Sequence, residues 1–187
     1  RYASEEDLRA AFTRLLGRTS EAVILPEGLG WDLPMMASTE TFVASGLNFN
    51  LDNANAAMAA CRYLAGRVPE NPLANFGGIH RRQDVLYREG SCCVMADYAH
   101  HPTEIRALLS MLREESADPL WVVFQPHRYT RTQRFSAAFA EVLALADRAW
   151  VLPVYAASEK LIESGQSANI LAHGKGKLEA LEPHALN

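Results

Sequence analysis

From residue 83 the sequence alternates strand, helix, strand, helix, strand, and few architectures accept that order. Leu120 to Phe124 is a near-continuous apolar run, the pattern of a strand covered on both faces. Before it, Cys92-Cys93-Val94-Met95-Ala96 reads as a short buried strand, and after it Ala149 to Tyr155 reads as a third. Between the first two, Pro102 suits the first turn of a helix, where its missing N–H would be unpaired anyway. That helix carries Ile105, Leu108, Leu109 and Leu112 on one face. A further helix, about Gln133 to Ala146, buries Phe135, Phe139, Val142 and Leu143. Three strands alternating with helices predict a parallel α/β sheet.

The N-terminal part is less regular. Ser4, followed by Glu5, Glu6 and Asp7, gives a hydroxyl cap with acids at the positive end of a helix. Leu8, Ala11, Phe12, Leu15 and Leu16 follow at helical spacing, and Gly17 closes the element. Ala22 to Leu25 predicts a short strand stopped by Pro26, and Glu27 to Thr41 a loop. Thr41 to Leu51 reads as a strand interrupted at Gly46, and Asn53 to Ala65 as an alanine-rich helix ending at Gly66. Pro69, Pro72 and Gly77-Gly78 then link to a new unit, which predicts two domains, 1–78 and 79–187.

Charge and cysteine usage remove several function classes. The formal net charge is −4, which argues against nucleic acid or an anionic membrane as the main partner. The longest apolar runs are far too short to span a bilayer, and Arg1 to Asp7 lacks the apolar core of a signal peptide, so a cytoplasmic location is expected. The three cysteines, Cys61, Cys92 and Cys93, give no disulfide framework and read as reduced or core residues. With no CxxC and no HExxH the chain carries no zinc-site signature, and no metal ligands are assigned.

The chemically dense stretches fall at equivalent places. Asp97-Tyr98-Ala99-His100-His101 follows the first strand, Gln125-Pro126-His127-Arg128-Tyr129-Thr130-Arg131 the second, and Tyr155-Ala156-Ala157-Ser158-Glu159 the third. Loops after the carboxyl ends of parallel strands share one edge, where ligands bind. Each stretch also has a structural reading: Asp97 as a helix cap, His100 or His101 as hydrogen-bonding filler, and Arg128 and Arg131 as solvated surface or, with Arg134, a weak RNA-binding patch. Paired arginines suit planar recognition of a carboxylate or phosphate better.

Asp97 to Ile105, together with Phe124 to Thr132, resembles the Mur ligase family, and Val154 to Glu159 matches that family's segment after the next strand. The second motif is the more specific, and is similar to the branch of the family that joins L-alanine to UDP-N-acetylmuramate. Arg1 to Phe12, Asn53 to Ala60 and Phe76 to Arg82 resemble family segments of the central domain and of its crossing into the last domain. The resemblance implies a three-layer Rossmann-like parallel-sheet C-terminal domain over 79–187, preceded at 1–78 by part of an α/β ATPase-type central domain. It also implies an enzyme that uses ATP and Mg2+ to phosphorylate a substrate carboxylate, so that the amine of L-alanine attacks the acyl phosphate. Carried over by position, His127, Arg128 and Arg131 hold the amino acid, with the arginines on its carboxylate. Tyr98 and His100 or His101 line the same cleft, and the three histidines are the catalytic candidates. Asp97 lies near the nucleotide ribose, Arg81 or Arg82 approaches the nucleotide at the domain junction, and Asn55 belongs to the nucleotide side.

Several positions depart from the family pattern. No Gly-x-x-x-x-Gly-Lys followed by Ser or Thr occurs; Gly174-Lys175-Gly176-Lys177 lacks both the spacing and the hydroxyl. The family's paired Asp before the Tyr is Ala96-Asp97, and its His-Asn before the alanine-rich helix is Leu51-Asp52. The tail after residue 160 stops short of a glycine-rich closing strand. The expectation is a chain inactive by itself that needs the missing N-terminal and central segments as partners. The alternative is a Mur-like binding or regulatory module without ATP-dependent catalysis.

Overall fold

The structure is a computed structural model that describes residues 4–29, 38–44, 49–68, 76–174 and 176–182. The chain divides into two compact units, Arg1–Gly77 and Gly78–Asn187.

In the first unit, helix α1 spans Glu5–Leu16 and starts in a reciprocal cap. The Asp7 N–H donates to Ser4 Oγ at 3.1 Å, and the Ser4 N–H donates to the Asp7 carboxylate at 3.1 Å. Strand β1 (Ala22–Pro26) pairs in parallel with β2 (Ser38–Phe42), with Ala22 opposite Ser38. Helix α2 (Phe49–Ala65) packs on both strands, and its small residues Ala54 and Ala59 bury beside Val23. The expected strand from Thr41 to Leu51 is replaced by β2 ending at Phe42 and a helix beginning at Phe49; its interruption at Gly46 lies outside the described residues.

The second unit opens with a hairpin. Strand β3 (Asp84–Glu89) pairs antiparallel with β4 (Cys92–Ala96) across a turn in which Gly90 has φ 55°. Cys92 to Ala96 is therefore not a buried member of the parallel sheet, because the exposed β3 returns directly onto it. Cys61, Cys92 and Cys93 are all free and all exposed, so none is a core residue. Helix α3 (Pro102–Glu115), strand β5 (Trp121–Phe124), helix α4 (Tyr129–Leu143), strand β6 (Arg148–Val151), a 3-10 turn (Glu163–Gly165), helix α5 (Ser167–His173) and strand β7 (Leu178–Ala180) follow.

Strands β5, β6 and β7 form an all-parallel sheet in that order, with Phe124 opposite Val151 and Val151 opposite Ala180. Its core joins Ile105 and Leu109 of α3, Phe139, Val142 and Leu143 of α4, and Ile170 of α5 to Phe124, Val151 and Leu178 of the strands. Only one face of β5 is covered this way. Trp121 and Val123 alternate with the buried Phe124 and are 63% and 55% exposed, so the expected covering of both faces does not occur. The edge of the unit is tied by Asp147, which accepts from the Leu120 N–H at 2.7 Å and from Arg113 at 2.6 Å.

Candidate functional site

The backbone joins two of the polar loops directly. Beyond the ends of β5 and β6 the pairing resumes as a parallel bridge between His127 and Tyr155. The Arg128 N–H donates to the Tyr155 carbonyl at 2.8 Å, and the Tyr155 N–H donates to the Pro126 carbonyl at 2.8 Å. Arg128 caps α4 at φ 73°, ψ 132°, so Arg131 sits on the first turn of that helix rather than in a loop. The expected helix start at Gln133 is thus four residues late in the sequence reading, because Tyr129-Thr130-Arg131 has no apolar stripe to announce it.

The third loop comes from β4. Arg131 donates through a guanidinium nitrogen to the His100 carbonyl at 3.4 Å. The His100 ring stands 6.0 Å from His127, which stands 5.5 Å from Tyr155, while Tyr98 meets His100 edge-on at 5.0 Å. Tyr98, His100, His127 and Tyr155 therefore form one aromatic row, with Arg131 on it and Arg128 close enough to act electrostatically on His127.

The residues that flank His100 in sequence have different duties. His101 is the N-cap of α3: its Nδ1 accepts from the Thr103 N–H at 3.3 Å and its ring packs edge-on to Phe135 at 4.7 Å. Glu104 completes the cap by accepting from the His100 and His101 N–H groups. His100 is left facing His127, with its Nδ1 2.8 Å from the Tyr98 carbonyl, to which it donates. Asp97 is also engaged locally, accepting from the Ala99 N–H at 2.6 Å and the Gln83 N–H at 2.9 Å. It pins the start of the loop to the residue before β3 rather than capping α3.

Electrostatics single out His127. Burial lowers its pKa, and the charges of Arg131, His100 and Arg128 push the same way, against a weaker opposing pull from Glu159. Its Nδ1 is a buried polar atom that finds no hydrogen-bond partner among the described residues. Glu159, which acts electrostatically on His127, accepts from the Thr130 N–H at 3.0 Å and the Thr130 hydroxyl at 2.7 Å. The Thr130 N–H holds the Glu159 carboxyl below its usual range, with help from the Thr130 hydroxyl and Arg128, against the desolvation that raises it. The sequence reading marked the stretch ending at Glu159 but gave this carboxylate no part. The positive charge of a strand-end arginine motif was the signal that an acid must sit nearby.

The nucleotide-side candidates have partners of their own. Arg81 and Arg82 lie in an exposed turn closed by the Ile79–Arg82 bridge, with Arg81 at φ 60°, and Arg82 acts electrostatically on Glu104. Asn55, in the first unit, donates to the Val43 carbonyl at 2.9 Å. Among the described residues no group of three or more His, Cys, Asp or Glu side chains is placed to hold a metal ion. Two guanidinium groups beside an imidazole offer paired planar donors to an anion and, next to them, an acceptor for a proton.

The family profile for the Mur ligase, glutamate ligase domain, matches residues 80–182, which takes in this whole site. The chain belongs to the Mur ligase family. Among Mur ligase relatives, it is 36% identical over 152 residues to the UDP-N-acetylmuramate--L-alanine ligase of Acetivibrio thermocellus, covering 73% of this chain and 32% of that protein. It is 44% identical over 122 residues to the ligase of the same description from Rhodococcus erythropolis, covering 58% and 24% respectively. The solved UDP-N-acetylmuramate-alanine ligase of Thermotoga maritima matches with a TM-score of 0.53 at 33% identity over 72% of this chain and 29% of that one. A murein peptide ligase of Psychrobacter arcticus matches over 94% of this chain and 46% of its own, with a TM-score of 0.58 at 17% identity, a likeness of fold alone. The chain spans about a third of the length of the first of these curated relatives.

Proposed function

We propose that this chain is the amino-acid-holding portion of a cytoplasmic, ATP-dependent ligase that joins L-alanine to UDP-N-acetylmuramate in peptidoglycan precursor synthesis. The observation that carries the reading is the meeting of Arg128, Arg131, His100 and His127 on one rim, within the segment matched by the family profile. The names of its relatives supply the substrate class.

In this reading Arg128 and Arg131 take the carboxylate of L-alanine, and the planar guanidinium groups fix its orientation. An α-amino acid arrives as an ammonium, which is no nucleophile. The His127 imidazole takes a proton from it; the lowered pKa leaves the ring unprotonated beforehand, while making it a weaker base. Tyr98 and Tyr155 wall the cleft, and His101 serves as the cap that aims His100. ATP and Mg2+ find no phosphate cradle here, since the chain has no glycine-rich loop ending in Lys-Ser or Lys-Thr and no metal-holding group among the described residues. The chemistry assigned to this chain therefore stops at holding and deprotonating the amino acid. Asp97, Arg81, Arg82 and Asn55 keep only the nucleotide-side role that the family resemblance gives them.

Calorimetric titration of L-alanine into the chain tests the reading. Wild type binds, and Arg131→Ala loses about 1.5–3 kcal/mol of binding free energy, the worth of a hydrogen bond to a charged group. Equal binding by both proteins defeats the assignment. Mixing the chain with a separately expressed N-terminal portion and following L-alanine-dependent ADP release then separates two versions of the site. Activity marks a ligase portion with its other segments as partners. Binding of L-alanine or UDP-muramoyl peptides without activity marks a Mur-like regulatory module, the version favoured by the missing phosphate loop and by Leu51-Asp52.

A further inference from the structure

We infer that Thr132, which lies beneath the arginines and not beside the cleft, is the positioning residue of the carboxylate site. The inference rests on the reading of Arg128 and Arg131 as carboxylate holders and deepens it. Among the described residues of the second unit, Thr132 is a polar side chain at 0% exposure. Both of its donors are directed at one atom: its N–H reaches the Arg128 carbonyl at 3.1 Å and its hydroxyl reaches the same oxygen at 3.0 Å.

A buried threonine hydroxyl that bonds back to the carbonyl four residues earlier is an ordinary helical habit. Here the accepting residue makes it consequential. Arg128 has φ 73°, a conformation that glycine adopts freely and that a side chain with a Cβ resists. Such a backbone persists only where its surroundings over-determine it. Three hydrogen bonds do so: the N–H of Arg128 is held by the Tyr155 carbonyl, and its C=O is held twice by Thr132. The first fixes the rotation ahead of the Cα, and the other two fix the rotation after it. Together they set the direction of the Cα–Cβ bond, and with it where the guanidinium can reach. Relaxation of Arg128 to negative φ would re-aim that bond relative to the first turn of α4, where Arg131 is anchored on the His100 carbonyl. The two guanidinium groups would no longer face one carboxylate.

Two residues after Arg128, Glu159 accepts from both donors of Thr130. Thr132 differs in being fully buried, so it acts on a ligand only through the groups it holds, of which the Arg128 carbonyl takes both of its donors.

Three variants in the full chain test this: Thr132→Val, which keeps the shape and removes the donor; Thr132→Ser, which keeps the donor; and Thr132→Ala, for use if the valine protein does not fold. Two readouts are taken by NMR, the strong amide–Hα contact within Arg128 that marks a positive φ, and the affinity for L-alanine as probe. Wild type and Thr132→Ser keep the contact and bind alike. Thr132→Val loses the contact and binds about tenfold more weakly, as loss of one charge-assisted partner predicts. Valine or alanine proteins that keep both the contact and the affinity overturn the inference. Should wild type bind no L-alanine, the amino-acid reading fails, and the Arg128 contact alone then decides: its loss in Thr132→Val supports the lock, and its retention overturns it.

Discussion

His127 is the residue whose chemistry is most exposed to test. Burial and the charges of Arg131, His100 and Arg128 hold its pKa down, so the folded chain takes up its proton at lower pH than the unfolded chain does. The unfolded imidazole titrates near 6.5. Its neutral form favours folding, so that contribution is complete above about pH 6.5 and is lost as pH falls from there through the folded value. Urea titrations of wild type and His127→Gln should diverge in this window, with wild type losing stability on acidification and the variant less so. Parallel curves would mean that the imidazole is not held neutral by its surroundings. At this scale the sequence was informative where chemistry is local: His127, Arg128 and Arg131 stand together in one motif and meet in space. It could not separate His100 from His101. Which of two adjacent histidines becomes the cap depends on where α3 begins, and the Glu104 side chain settles that by closing on both amides. Asp97 is a similar case, since its two donors come from Ala99 and from the distant Gln83.

The helix that carries the arginines depends on an element with no chemistry of its own. The 3-10 turn at Glu163–Gly165 lies against the N-terminus of α4, where the Gln133 amide donates to the Ser164 hydroxyl at 2.6 Å. A methyl group added at Gly165 would fall 2.4 Å from the Tyr129 carbonyl oxygen, closer than such atoms approach. Gly165→Ala should therefore destabilise the second unit by about 1–3 kcal/mol, the cost of overpacking a filled site. It should also shift the amide resonances of Tyr129, Thr130 and Arg131. Gly77→Ala, at a position with nothing within 4 Å of the added carbon, is the control and should change neither. If the Gly165 variant is as stable as wild type, the turn does not brace the helix. Element by element, α3 was legible because Pro102 and its apolar stripe both speak for a helix. Strand β4 was misread because a short apolar run looks the same whether it lies in a core or in an exposed hairpin. The turn signal Gly90-Ser91, and the short strand-like run Val85-Leu86-Tyr87 just before it, carried the missing information. Strand β7 is only three residues long and offers no period to detect.

Taken whole, the molecule distributes its core unevenly between its two units. The second unit holds a continuous cluster running from Ile105 to Leu178, with Leu143 and Ile170 at 0% exposure. In the first, the buried apolar side chains among the described residues are Val23, Ala54 and Ala59, two of them only methyl groups, while Leu15 and Leu64 are 60% and 81% exposed. Burial of apolar area is the main favourable term in folding, so a unit with so little of it opens at lower cost. The alanines that made α2 legible as a helix are the reason: they allow close approach to β1 and β2 but bury little area when they arrive. Native-state hydrogen exchange in rising urea should therefore resolve two openings. Amides of Val23, Ile24 and Ala59 should exchange first, through an event with a small urea dependence that exposes the first unit alone. Those of Val122, Leu143 and Val151 should exchange only in the larger event that dissolves the second unit's core. A single event shared by all six amides would show that the units stabilise each other as one cooperative body. Two events would mean that the rim bearing Arg128, Arg131 and His127 persists while the first unit is open, so L-alanine affinity measured at urea concentrations between the two transitions should remain that of the native chain.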